Sequence, residues 1–368
     1  MTAATLGRRQ EAPGAASGAF ARVVTQLDAL VAAFGLGAQA PLVHAVFDAI
    51  CGRTLDFPLG GRPPAPSRLN EDGTPVQFAT GVGSHTPALR FVADPGACGA
   101  GAGMRGSAAR AAMRATAGLI GAKAGLAALS PLLLELAPGD APALRGDPAG
   151  PFWIGAAFAP GAAPRLRVYV NGACGSPAAR CARLRRFAAH FDRSEAWDEL
   201  AAQFPSNLEP LGLALTLGAG GEVRGAIYLR AFGLRLSDYA ALANIAAGPS
   251  NAERMRAFGT ALLGADAAHP TPSAVLSFGF GPEPGLSAEL EFCAHCLYAD
   301  DTTAQAALER LFASERVDAA PYRTLARILA APAPRPGPPR LHAFIGVDAK
   351  SPGRAYTVYM KPDLSLPI

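Results

Sequence analysis

PFWIGAAFA (Pro151–Ala159), PGAAP (160–164) and RLRVYVN (Arg165–Asn171) follow one another in this chain. Two β-rich runs joined by a short Pro/Gly link predict a hairpin. Strand side chains alternate between faces, so Leu166, Val168 and Val170 share one side and Arg165, Arg167 and Tyr169 the other. The same design recurs four more times. PVQFATGVG (Pro75–Gly83) precedes SHTP and ALRFVAD (Ala88–Asp94). LGLALTL (Leu211–Leu217) precedes GAGGE and VRGAIYLR (Val223–Arg230). SAVLSFGF (Ser273–Phe280) precedes GPEPG and LSAELEFCAHC (Leu286–Cys296), and LHAFIGVD (Leu341–Asp348) precedes AKSPG and RAYTVYMK (Arg354–Lys361).

Helical patterns separate the hairpins. They cover residues 19–51, 106–136, 177–203 (with Ser194 as an N-cap), 237–263 and 301–330. In the last, Ala304, Ala307, Leu308, Leu311 and Phe312 form the stripe of a helix lying on a core. The order is helix, strand, strand, five times over, which is an α+β chain with ten antiparallel strands. A sheet of that size must close or cover its edges. Closure gives a ten-stranded barrel with the helices outside and a cavity within, since eight strands are already the number that side chains can fill. An open α+β sheet or two sandwiched domains are the competing arrangements. The Pro/Gly-rich stretches 58–66 and 331–339 read as connections. The first 18 residues are expected to be disordered, and residues 19–368 to form a single domain.

Composition narrows the function. Half of the 368 residues are apolar and 17% are charged, which supplies a large core and argues against a disordered chain. The net charge of +4 comes without the basic stripe of a nucleic-acid binder, so no nucleic-acid partner is expected. MTAATLGRRQEAPGAASG has no apolar core of a secretory signal. The longest apolar stretch, Ala115 to Leu136, is interrupted by Lys123, Ser130, Pro131 and Glu135 and reads as a buried helix, not a membrane span. Six cysteines without a signal suggest reduced thiols and a cytoplasmic protein, monomeric or homodimeric.

The second strand of each hairpin carries the chemistry. Arg224, Ala226, Tyr228 and Arg230 oppose Val223, Gly225, Ile227 and Leu229. Arg90 lies between apolar neighbours, and Thr357, Tyr359 and Lys361 share a face. If helices cover the apolar faces, the Arg/Tyr faces look into the barrel; in a sandwich they would face solvent. Guanidinium groups gathered in one cavity repel each other unless an anion joins them, and their forked donors match phosphate oxygens. Tyrosines beside them would wall an apolar group.

These features resemble the aromatic (indole) prenyltransferases of the dimethylallyltryptophan synthase type, in the prenyltransferase-barrel superfamily. The resemblance rests on LNEDGTPVQFATGVG (Leu69–Gly83) with LRF (Leu89–Phe91), Arg167–Tyr169, Arg224–Tyr228 and AYTVYMKP (Ala355–Pro362). It implies a metal-independent enzyme that moves a dimethylallyl or longer group from its diphosphate to an aromatic acceptor. It further implies diphosphate binding by Arg90, Arg167 and Arg224, with Lys361 expected among the diphosphate-binding residues, and a cation shield of Tyr169, Tyr228 and Tyr359. In two places the chain departs from the family pattern. Gln77 stands where the family usually has a Glu that holds the indole N–H, and an amide cannot take a proton at neutral pH. Ala226 stands where a Lys is common, so Arg165 or Arg230 is expected to supply that charge.

Glu289, Glu291, Cys293 and His295 share a face if the eighth strand continues through them. Glu291 or Glu289 is then a candidate base, against the alternative of solvent-facing carboxylates or partners for the arginines. Asp300 and Asp301 before a helix are read as caps, not metal ligands. GACGAGAGMRG (Gly96–Gly106) lacks the βαβ setting of a dinucleotide fingerprint. Cys293 and Cys296 have half the spacing of a zinc site, but no second cysteine pair matches them. His44 is read as a core histidine. A passive barrel binding a hydrophobic or anionic small molecule, and a transferase with a phenol, phenazine-like or peptide acceptor, remain open.

Overall fold

The computed structural model describes residues 18–61, 63, 65, 67–83, 88–98, 102–137, 150–172, 175–264, 271, 273–282, 285–330, 340–348 and 355–364. All statements below concern these residues. Residues 1–17 of the expected disordered stretch lie outside them, as does the connection 331–339; Gly18 forms a bridge with Pro58.

The strands are β1 (Val76–Val82), β2 (Leu89–Ala93), β3 (Phe152–Phe158), β4 (Arg165–Asn171), β5 (Leu208–Gly218), β6 (Val223–Phe232), β7 (Ser273–Phe280), β8 (Ser287–Cys293), β9 (His342–Asp348) and β10 (Tyr356–Met360). Each pairs antiparallel with its sequence neighbour, and β1 pairs with β10, so the sheet is a closed barrel. The open-sheet and two-domain alternatives are thereby excluded. Because the strands run in order, all five hairpin turns lie at one end and the helical connections meet the other.

The helices are α1 (Ala19–Ala33), α2 (Ala40–Cys51), α3 (Ala102–Leu119), α4 (Lys123–Leu136), α5 (Pro177–His190), α6 (Ser194–Ala201), α7 (Leu236–Ala247), α8 (Pro249–Leu263), the single turn α9 (Ala294–Leu297), α10 (Asp301–Glu315) and α11 (Ala320–Leu329). Their apolar stripes cover the outer faces of the strands, where rings interlock repeatedly. Phe47 of α2 meets Phe78 and Phe91, Phe187 of α5 meets Phe280, and Trp197 of α6 meets Phe278. Phe258 of α8 meets Phe292, and Phe312 of α10 meets Tyr356. Such edge-to-face and offset pairs add to the burial of apolar area that holds each helix on the barrel.

Several local expectations are revised. The apolar stretch before Leu136 is two helices, broken at Gly121, whose φ of 78° ends α3. Ser194 is the first residue of α6, not its cap, and Ser176 caps α5 by accepting from Ala179 N. Asp300 does cap α10, in a reciprocal box with Thr303. Asp301 accepts from the backbone of Leu341 and His342. His44 is not in the core: it is half-buried at the surface, 2.9 Å from Asp28.

Gly225 on β6 shows how closely helix and barrel meet. A Cβ there would stand 2.5 Å from Phe191 and 2.9 Å from Phe187. Gly225→Ala is expected to destabilise the fold by about 1–3 kcal/mol, the usual range for overpacking. A urea melt that leaves the midpoint unchanged would show that this contact is not tight.

Candidate active site

The barrel is hollow because of what its odd-numbered strands point inward. Ala79 and Gly81 on β1, Gly155 and Ala157 on β3, Thr216 on β5, Gly279 on β7 and Gly346 on β9 are small and line the interior. The even-numbered strands supply the functional groups facing them: Arg90, Arg165, Arg167, Tyr169, Arg224, Glu289, Glu291 and Tyr359. The cavity, open at the rim, has a volume of about 710 Å³. That is ample for two small substrates side by side.

Depth follows register. Arg165 and Arg224 sit beside the hairpin turns, half exposed, and Glu222 bridges them at 3.6 and 2.7 Å. Arg167 lies one pleat deeper, opposite Gly155 and Thr216. It hydrogen-bonds the Tyr228 hydroxyl and lies over two rings, 5.1 Å from the centroid of Tyr169 and 5.8 Å from that of Tyr228. Arg90 pairs in register with Ala157 and Ala79. Below the arginines, Tyr169 and Tyr228 pack at 6.0 Å, and Tyr359 meets Phe344 edge-on at 6.4 Å. Ala214, Ala226 and Val275 complete this inner apolar cluster, separate from the core outside the barrel.

Burial pushes the hydroxyls of Tyr169, Tyr228 and Tyr359 above the ordinary phenol value, and Arg167 opposes the shift in each. They stay neutral, as walls and hydrogen-bond donors. Glu291 lies on the cavity wall, enclosed by the barrel, and is hydrogen-bonded to Tyr359. Burial first, and then the neighbouring Glu289, push its carboxyl up to about 7; Tyr359, Arg167 and Arg90 hold it back. The expectation of solvent-facing carboxylates therefore fails for Glu291. Gln77 also lines the cavity. Its amide donates to Leu69 O at 2.9 Å and Asn70 Oδ1 at 2.8 Å. Both N–H bonds are thereby used, which leaves its carbonyl oxygen to accept from a ligand.

Three other expected residues lie elsewhere. Arg230 does not line the cavity: it is half-buried, opposite Glu209 and Val275. Lys361 is buried and held by Glu71 at 2.6 Å and Asp72 at 2.7 Å, so its charge is already matched. The cause is that β10 ends at Met360, so the alternation that placed Lys361 with Tyr359 no longer applies to it. His295 does not continue the inward face of β8, because that strand stops at Cys293 and the chain turns into α9.

Glu222, Asn70 and Phe344 were missed in the sequence. Phe344 was findable, since it faces inward by alternation with Gly346. Glu222 sits in a turn, and the role of Asn70 depends on the return of its loop to β1, so neither had a pattern to mark it.

The chain is similar in structure to 5-dimethylallyltryptophan synthase from Streptomyces coelicolor, with a TM-score of 0.80 and 23% identity over 96% of this chain and 100% of that one. The fold is the prenyltransferase barrel. It is also similar to 6-dimethylallyltryptophan synthase from Micromonospora olivasterospora in complex with DMASPP and Trp, with a TM-score of 0.77 and 18% identity over 94% of this chain and 97% of that one. The ternary complex of the prenyltransferase PriB with L-tryptophan and dimethylallyl thiolodiphosphate matches with a TM-score of 0.77 and 22% identity over 94% of this chain and 96% of that one. No protein-family model matches the chain, and no curated protein matches it in sequence.

A carboxyl raised in the folded state favours folding when protonated. For Glu291 that stabilisation is complete below its ordinary 4.5 and is lost as the pH climbs to about 7. Glu291→Gln should match the parent protein in acid and exceed its stability by on the order of 2–3 kcal/mol above neutrality. Thermal melts across the pH range test this, and parallel curves would show that Glu291 ionises normally.

Proposed function

We propose that this protein moves a dimethylallyl or longer prenyl group from its diphosphate to an aromatic acceptor, indole-derived or phenolic, by electrophilic substitution. One observation carries the reading: Arg90, Arg165, Arg167 and Arg224 line a cavity floored by Tyr169 and Tyr359, with Tyr228 packed against Tyr169 and hydrogen-bonded to Arg167. Positive donors belong with a leaving diphosphate and aromatic faces with an allylic cation. Structural neighbours holding both a dimethylallyl thiolodiphosphate and tryptophan support it.

The steps follow from the placement of these groups. The allylic C–O bond ionises, both electrons leaving with the diphosphate, which the arginines hold. The tyrosine walls keep water from the cation. An arene carbon bonds to the allyl carbon, and the ring then loses its proton to Glu291, whose value near 7 suits a base at neutral pH. The Gln77 carbonyl accepts from the acceptor's N–H or O–H and so orients the ring. The arginines do the work that a magnesium ion does in other diphosphate enzymes, so the reaction needs no added metal. The protein would act in the cytoplasm as one barrel domain, monomeric or homodimeric.

The decisive experiment supplies dimethylallyl, geranyl and farnesyl diphosphates with a panel of indoles and phenols, in magnesium-free buffer, with mass spectrometry of the products. An acceptor heavier by one prenyl unit is expected. No product and no donor binding by calorimetry would leave the passive binding barrel as the better account. Arg167→Met should lower kcat by about 10²–10³, the usual loss for one charge-stabilising donor. Arg165→Met should weaken donor binding and Arg230→Met should not, because only Arg165 reaches the cavity. Equal effects would contradict that placement. The rate should rise with pH through about 7 as Glu291 deprotonates, and Glu291→Gln should abolish that limb.

A further inference from the structure

Below the cavity, at the end of the barrel away from the hairpin turns, the chain gathers a second set of reactive groups. β8 ends at Cys293, and α9 brings His295 and Cys296 back beside it. The donor atoms of these three residues all lie within 4.8 Å of one another. Cys293 Sγ is 2.9 Å from His295 Nδ1, and both cysteines are free thiols. The sequence offered no second cysteine pair to complete such a site, but the fold provides a different fourth group. Glu71, in the loop before β1, places Oε2 3.6 Å from His295 Nδ1.

We propose that Cys293 Sγ, Cys296 Sγ, His295 Nδ1 and Glu71 Oε2 bind one zinc-class divalent cation in a structural site. A tetrahedral zinc ion with ligands about 2.0–2.3 Å away has edges of roughly 3.3–3.8 Å. The His295–Glu71 separation is such an edge; on loading, the 2.9 Å Cys293–His295 contact would open, and Glu71, outside the group of three, would close on the two sulfurs. The donor set of two thiolates, an imidazole and a carboxylate suits zinc and not the hard, oxygen-seeking ions. Binding would replace the two thiol protons with the metal and release them to solvent.

The surroundings support the carboxylate's orientation. Lys361 holds the other oxygen of Glu71 at 2.6 Å and is itself held by Asp72 at 2.7 Å, so Oε2 is left facing His295. A partner of this kind, behind a ligand, fixes its direction and tunes its affinity. The ion would pin the loop containing Leu69 and Asn70, which anchors Gln77, to the end of the strand that carries Glu291. The site is separate from the arginine-lined mouth and does not depend on the transfer reaction.

The test uses the full chain, reduced and stripped of metal. It is titrated with cobalt(II) and then with zinc(II) against a chelator of micromolar affinity, with thermal melts alongside. One equivalent is expected, with thiolate-to-cobalt charge-transfer bands, tetrahedral d–d absorption and a melting midpoint that rises on loading. Cys296→Ser, His295→Asn and Glu71→Gln should each lower affinity at least about tenfold. Cys181→Ser, which alters an exposed thiol on α5, should bind as the parent protein does. Absence of charge-transfer bands in the reduced parent protein, or unchanged affinity in Cys296→Ser and His295→Asn, would overturn the proposal. So would a Cys293–Cys296 disulfide that forms in air from protein with no metal affinity in reductant.

Discussion

Pairing of β1 with β10 joins the first hairpin of the chain to the last, in the register Phe78 to Met360 and Val82 to Tyr356. That closure removes the last strand edges, and every other feature depends on it. With no edge left, each strand has only an outer and an inner face. The outer faces must bury apolar side chains, because helices such as α2, α5, α6, α8 and α10 pack over them. The inner faces are thereby free to hold polar groups that an ordinary core would reject.

How much polar material can be accommodated is decided by small residues. Gly155, Gly279 and Gly346 face inward on strands that alternate with those carrying Arg167 and Glu291. Large residues on all ten strands would fill the barrel and bury the arginines without compensation, at several kcal/mol for each unpaired charge. The unloaded structure meets that demand in part. Glu222 bridges Arg165 and Arg224 at the rim, and the Tyr228 hydroxyl accepts from Arg167. In the reaction we propose, an entering diphosphate would take over these contacts.

The two ends of the barrel differ in chemistry for a topological reason. Hairpin turns at one end are short and place rim residues close to solvent, where charge is cheap. At the other end the chain returns from long helical excursions, and loops such as residues 69–72 fold against strand ends. There Gln77 gains Leu69 and Asn70 as anchors, and Lys361 is neutralised by Glu71 and Asp72. The buried charge of Lys361 at that end is paired, as burial demands.

The alternation of RLRVYVN and VRGAIYLR was enough to divide the strands into two faces, and the helix-hairpin order was enough to show that edges must be closed or covered, because both are local consequences of strand geometry and edge satisfaction. Closure itself came from the pairing of β1 with β10. Arg90, Arg165, Arg167, Arg224, Tyr169 and Tyr359 could be placed inside on that basis. Alternation holds only while a strand continues, so it misplaced His295, which lies past the end of β8, and Lys361, which lies past the end of β10. It could not say that Glu291 stands by Tyr359 and within the field of Arg90, residues about seventy and two hundred positions away in the chain. Nor could it bring Glu71 to His295. The sequence by itself determined which side chains share a face along each unbroken strand; the barrel's closure and loop returns alone decided which face turns inward and which residues meet, because contacts between distant segments are set by register around the ring and not by any local periodicity.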